Sequence, residues 1–161
     1  LILFISFSFF TLFSVMGCMD SSIQNSEVAE QKVIQTMERF FEVLDVNNYK
    51  RALLNEVVTE AFKIFEAGEV MDIERFHDFV THVDPNVAPL SETSWKLSEF
   101  DISLDNESAH VSYINKGVFK HGKEMTAKLH WMESAYLIEQ AGSYKIKFLN
   151  SNVVSREFDY D

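Results

Sequence analysis

The residue in this chain best suited to moving a proton is a carboxylate set into an apolar strand pattern. Met125, Ala127, Leu129, Trp131, Glu133, Ala135 and Leu137 recur every second residue, so a strand would put them on one face with Glu133 as its single charge. Burial there disfavours the ionised form, which suits a general acid or base. It also suits a structural glutamate that accepts hydrogen bonds from a neighbouring strand and has a lowered pKa, and this second reading is the expected one. Tyr113 and Asn115 share a face of an earlier strand, and Asn150 and Asn152 share one with Phe148 near the end of the chain. Together with Trp131 they offer hydrogen-bonding groups for a pocket; equally, they fit a polar rim at a sheet's edge. His77 lies beside Phe76 and Val80 on a helical apolar face, where a lone histidine is either a pocket residue or a satisfied boundary group.

Other chemistries lack their residues. There is no Ser-His-Asp spacing, no glycine-rich phosphate loop and no metal-ligand spacing among the five histidines and the single cysteine, so neither metal nor cofactor is expected. One cysteine, Cys18, makes no internal disulfide. A net charge of −11 repels phosphate backbones and argues against a nucleic-acid partner.

These groups need elements to hold them. Val33, Ile34, Met37, Phe40, Phe41 and Leu44 step at helical spacing within a helix expected from about Glu27 to Val46. Leu53, Leu54, Val57 and Val58 mark a second, shorter helix. Glu60–Glu66 is a short strand stopped by Ala67-Gly68. Asp72 is the expected N-cap of a third helix, with Ile73, Phe76, Phe79, Val80 and Val83 inward. From Thr93 the period becomes two. Trp95 and Leu97 alternate in one parity and Phe100, Ile102 and Leu104 in the other, which predicts a bulge near Ser98-Glu99. Turns at Asp105-Asn106-Glu107, Lys120–Lys123 and Ala141-Gly142 separate the remaining strands, the last lined by Tyr144, Ile146 and Phe148. The order predicts an α+β domain, with a mainly antiparallel sheet packed on three helices.

Residues 1–17 carry no charged side chain and end in Val15-Met16-Gly17-Cys18. The run reads as the apolar core of an export signal, whose initiating methionine and basic residues would precede Leu1. Its end resembles the lipobox of bacterial lipoproteins, which implies a signal peptide over 1–18 and lipid on Cys18. Plain secretion and an uncleaved membrane anchor fit the same run. Residues 19–29 are then a polar tether, 30–157 the domain and 158–161 a tail.

The stretch HWMESAYLIEQAGSYKIKFLNSNVV, His130 to Val154, resembles the closing hairpin of the nuclear transport factor 2-like superfamily (SnoaL-like, ketosteroid-isomerase-like). That hairpin commonly reads W-x-E-S-A, then G-x-W-K-I, then an H-S-T-like end. Here Tyr144 replaces the second tryptophan and Asn150 stands where many relatives carry histidine; an amide cannot titrate in its place. The Trp95 strand and the run Ala109–Tyr113 resemble the family too. The resemblance implies a cone: a curved sheet wraps the helices and leaves a pocket at the open end, with Tyr113, Asn115, Trp131, Glu133, Asn150 and His77 as candidate lining. Its members include isomerases, dehydratases, cyclases and non-catalytic binding or dimerising domains. The expected role is an envelope lipoprotein that binds a small apolar or amphipathic ligand, or a protein partner, without catalysis, and meets the membrane only through its lipid. The alternatives are an isomerase or dehydratase using Glu133, and a homodimer built on the sheet face.

Overall fold

A computed structural model describes residues 17–160. Three helices, α1 (Gly17–Val43), α2 (Arg51–Val57) and α3 (Ile73–Thr81), pack against six strands: β1 (Val58–Glu66), β2 (Glu69–Met71), β3 (Leu90–Leu104), β4 (Ser108–His121), β5 (Met125–Gln140) and β6 (Ser143–Tyr160). The strands form one mixed sheet in the order β2-β1-β6-β5-β4-β3. All neighbours are antiparallel except β1 and β6, which run parallel. The α+β class and the helix-filled, curved sheet are as expected.

The apolar stripe of α1 explains its position. Val33, Met37 and Phe40 are at most 1% exposed, and they pack with Leu54 of α2 and Phe76 of α3 onto Val111, Leu137, Ile146 and Leu149 of the sheet. Removing such side chains from water stabilises the fold by about 1.5–3 kcal/mol each. The Asp72 side chain accepts from the Arg75 amide at 2.9 Å, satisfying one orphan donor at the start of α3 as its position predicts.

Several boundaries differ from expectation. Helix α1 already includes Gly17, the first described residue, so Cys18 and residues 19–29 are helical; the rest of the apolar run lies outside the described residues. Strand β6 continues to Tyr160, because Phe158 and Tyr160 pair with Ala127 and Met125 of β5 rather than ending in a free tail. The three-residue β2 is an addition: Ala67 and Gly68, both at positive φ, reverse the chain and lay Glu69–Met71 back along β1.

Bulges decide which side chains face the helices, and besides the two that follow, the β5–β6 register shifts again between His130↔Ser155 and Trp131↔Val153. The β3 register shifts between Ser98 and Asp101, with Glu99 at φ 56°, as the parity switch predicts. The β5–β6 register also shifts, from Leu137↔Ile146 to Tyr136↔Phe148, leaving Lys147 as the extra residue. A bulge reverses the parity of the residues beyond it, up to the next bulge. Tyr144 and Ile146 face inward before it; Leu149, Ser151 and Val153 do so after it, and Phe148 turns outward against Phe65 with ring centroids 4.9 Å apart.

Candidate functional site

The open end of the cone encloses a cavity of about 380 Å³ between α1, α3 and the concave face of the sheet. Its wall is mostly apolar: Phe40 and Phe41 from α1, Phe76 and Phe79 from α3, and Trp95, Phe119, Trp131 and Phe158 from the sheet. Trp95 packs on Phe41, Phe119 and Trp131 at centroid distances of 5.1, 4.9 and 6.0 Å. Gly117 makes this possible. A β-carbon there would lie 2.8 Å from Phe119, 2.9 Å from Trp131 and 3.1 Å from Trp95, so the rings occupy the place of a side chain. A larger groove of about 590 Å³ runs outside α1 past Glu38, Arg39 and Glu42. Its charges are largely exposed, with Arg39 paired to Glu42 and Glu56, and it has the chemistry of a solvated surface.

Polar groups form one row across the strands at the base of the cavity. Tyr113 of β4, Glu133 of β5 and Ser151 of β6 are direct cross-strand partners. The neighbouring pair Phe65↔Asn150 brings Glu66, at the end of β1, beside Ser151. Ser151 Oγ donates to Glu133 Oε1 at 2.7 Å and Asn115 Nδ2 to Glu133 Oε2 at 3.0 Å. Glu133 is 6% exposed and Asn115 is fully buried, with its Oδ1 unpartnered. The Tyr113 hydroxyl faces the same carboxyl but does not reach hydrogen-bond geometry, so it too is without a partner.

The electrostatics follow. Burial pushes the Glu133 carboxyl up to about 7; the hydrogen bonds from Ser151 and Asn115 and the nearby Tyr113 hydroxyl oppose this, and the Glu66 charge adds to it. The expected lowering is therefore overturned. Both hydrogen-bond donors are neutral, and two neutral donors do not offset the loss of water around a buried charge. Glu66 is raised as well, first by burial, against Ser151, the Ala67 amide, the Trp131 indole and the Arg156 charge. Burial and the Glu133 charge hold Tyr113 well above the ordinary phenol range, so it stays a neutral hydroxyl.

The expected site residues divide accordingly. Glu133, Asn115 and Trp131 line the cavity, and Tyr113 stands behind Glu133 in the core. Asn150 does not belong to the site: the Lys147 bulge turns it to the outer face, with Asn152 and Phe148. His77 does not either, since its Nδ1 meets the Tyr49 hydroxyl at 2.9 Å and their rings stack outside the cavity. Ser151, Glu66, Arg156, Thr93 and His121 are the polar cavity residues not anticipated. Glu66 continues the inward parity of Phe62 and Ile64, a visible signal; Ser151 was hidden by the bulge, marked only by the adjacent apolar pair Phe148-Leu149.

No family model and no curated protein matches the chain at the level of sequence. Solved structures do match in shape. A candidate scytalone dehydratase from Novosphingobium aromaticivorans superposes with a TM-score of 0.72 at 15% identity, over 86% of this chain and 92% of that one. An NTF2-like protein from Cytophaga hutchinsonii gives 0.61 at 10% identity, over 78% and 98%. The association domain of C. elegans CaMKII gives 0.63 at 11% identity, over 78% and 96%. The chain thus has the nuclear transport factor 2-like fold, a scaffold found both in a candidate enzyme and in an association domain.

Proposed function

We propose that this protein binds a small amphipathic molecule in the cone, presented from the cell envelope by lipid on Cys18. The observation that carries the binding reading is the cavity itself: apolar on nearly every side, with Glu133, Asn115 and Ser151 converging at one place. Few polar groups in an apolar, largely pre-formed cleft are what orients a small ligand. The envelope location rests on the uncharged run ending at Gly17-Cys18. Both tryptophans of the chain, Trp95 and Trp131, line the cavity, so occupancy changes their emission directly. The test is a titration of intrinsic fluorescence with small aromatic probes, repeated on Ala127→Trp, which fills the cavity from β5. Probes that alter the emission of the parent and not of a folded Ala127→Trp support the reading; probes that leave the parent unchanged overturn it.

A proton-transfer enzyme is the second reading, and one observation favours it. A carboxyl with a pKa of about 7 is matched to abstracting and returning protons at neutral pH. Exchange of deuterium into the α-positions of a small ketone, followed by NMR, tests it. Exchange that persists unchanged in Glu133→Gln excludes Glu133 as the base.

A further inference from the structure

The cavity's unmet needs specify the charge of its ligand. Glu133 and Glu66 reach the same Ser151 from two strands, and among the described residues neither takes part in a salt bridge. Arg156 is the one guanidinium in the lining; it acts on Glu66 from five residues beyond Ser151 along β6, toward the open end. His121, the other basic group there, holds the Ala88 carbonyl through Nδ1 at 2.7 Å. The floor thus carries a carboxyl surrounded by neutral donors and without a counter-cation. An independent feature points the same way: Asn115 is fully buried, lines the cavity, and leaves its acceptor Oδ1 unused beside Glu133. Buried acceptors left unpaired cost free energy, so a ligand that supplies donors recovers it. The surrounding wall of Phe41, Trp95, Phe119 and Trp131 suits a cation, because aromatic rings attract positive charge and strengthen that attraction when water is excluded.

We propose that the ligand is an organic cation, an ammonium group on a small apolar body, with its N–H donors on Glu133 and Asn115 and its body against the aromatic wall. The proposal rests on the binding function above and adds the charge of the ligand. It also predicts linkage to protons. Glu133 pairs with an ammonium group only when ionised, so affinity rises as the pH passes upward through about 7. The groups facing Glu133 are Ser151, Asn115, Tyr113 and Glu66, and Glu66 is the only other of these that titrates below the phenol range.

The experiment titrates the full chain with 2-phenylethylammonium, 2-phenylethanol and 3-phenylpropanoate at pH 6 and pH 8, reading tryptophan fluorescence. At pH 8 the ammonium should bind about tenfold tighter than the alcohol, the worth of one charge-assisted hydrogen bond, and the carboxylate more weakly than either. The preference should shrink at pH 6. In Glu133→Gln it should vanish while the alcohol still binds, which shows that the cavity is intact. Equal or tighter binding of the alcohol or the carboxylate to the parent would overturn the cation and leave the binding function standing. A preference that survives in Glu133→Gln would overturn it as well. If none of the three binds, the cation proposal falls together with the binding function.

Discussion

At the residue scale, Glu133 makes stability depend on pH in an unusual direction. Its folded pKa, about 7, lies above the ordinary 4.5, so the folded state holds this proton more tightly than the unfolded chain. The benefit is complete below about 4.5 and is lost as pH rises through 7. Glu133→Gln removes the ionisation; its carbonyl can still accept from Ser151, and its amide can donate to Asn115 once that side-chain amide flips to turn Oδ1 where Nδ2 now lies. The variant should be more stable than the parent at pH 8, by an amount on the order of 3 kcal/mol, with the gap closing near pH 4.5. Urea denaturation at the two pH values measures it; a destabilised variant at pH 8 would mean that Glu133 is held ionised. Trp131→Ala should cost about 3–5 kcal/mol, read from the same curves, because Trp131 is 7% exposed and supports both Trp95 and Phe119.

At the scale of elements, glycine and bulges matter more than propensity. Gly117→Ala pushes a methyl group into three rings at once, and overpacking of this kind costs about 1–3 kcal/mol. A lowered melting temperature with altered tryptophan emission is the expected result. The helices and the succession of strands along the chain were legible in the sequence because their periods are long: α1 repeats its apolar step over several turns, and β4 alternates cleanly. The bulge in β3 was legible too, since Trp95 and Leu97 differ in parity from Phe100, Ile102 and Leu104. The bulge at Lys147 was not, because Ile146 and Phe148 look like uninterrupted alternation until Leu149 is weighed against them. That one residue moved Asn150 out of the site and Ser151 into it. The raised pKa of Glu133 was illegible for another reason: its sign depends on whether the neighbouring donors are charged, which only their packing decides.

At the scale of the molecule, the sheet has a second face, and it is partly apolar. Met132, Tyr136 and Val154 are 56%, 39% and 49% exposed on the side away from the cavity, beside the outward Phe148 and Phe65. Such a face is readily buried against a copy of itself. Sedimentation should show a concentration-dependent dimer, and Met132→Glu should shift it to monomer without changing ligand titrations; a parent that stays monomeric would remove this surface from consideration. The expected lipid on Cys18 is a property of the whole chain as well. Mass spectrometry of the membrane fraction should find a mature protein beginning at a lipid-bearing Cys18, whereas an intact 1–17 segment would point to an uncleaved anchor.

The parallel pairing of β1 with β6 ties these scales together in time. Strand β6 is the last of the described strands to be synthesised, yet it sits in the middle of the sheet between β1 and β5. Contacts so distant along the chain form slowly, because a long loop must close before they stabilise anything. Until Ser143–Tyr160 arrives, β1 and β2 have no place in the sheet, and Glu66 and Glu133 lie on separate pieces of chain. A chain emerging from its N-terminus would therefore keep the two carboxylates apart until β6 had followed, so the proposed site would be assembled only after β3, β4 and β5 were already present.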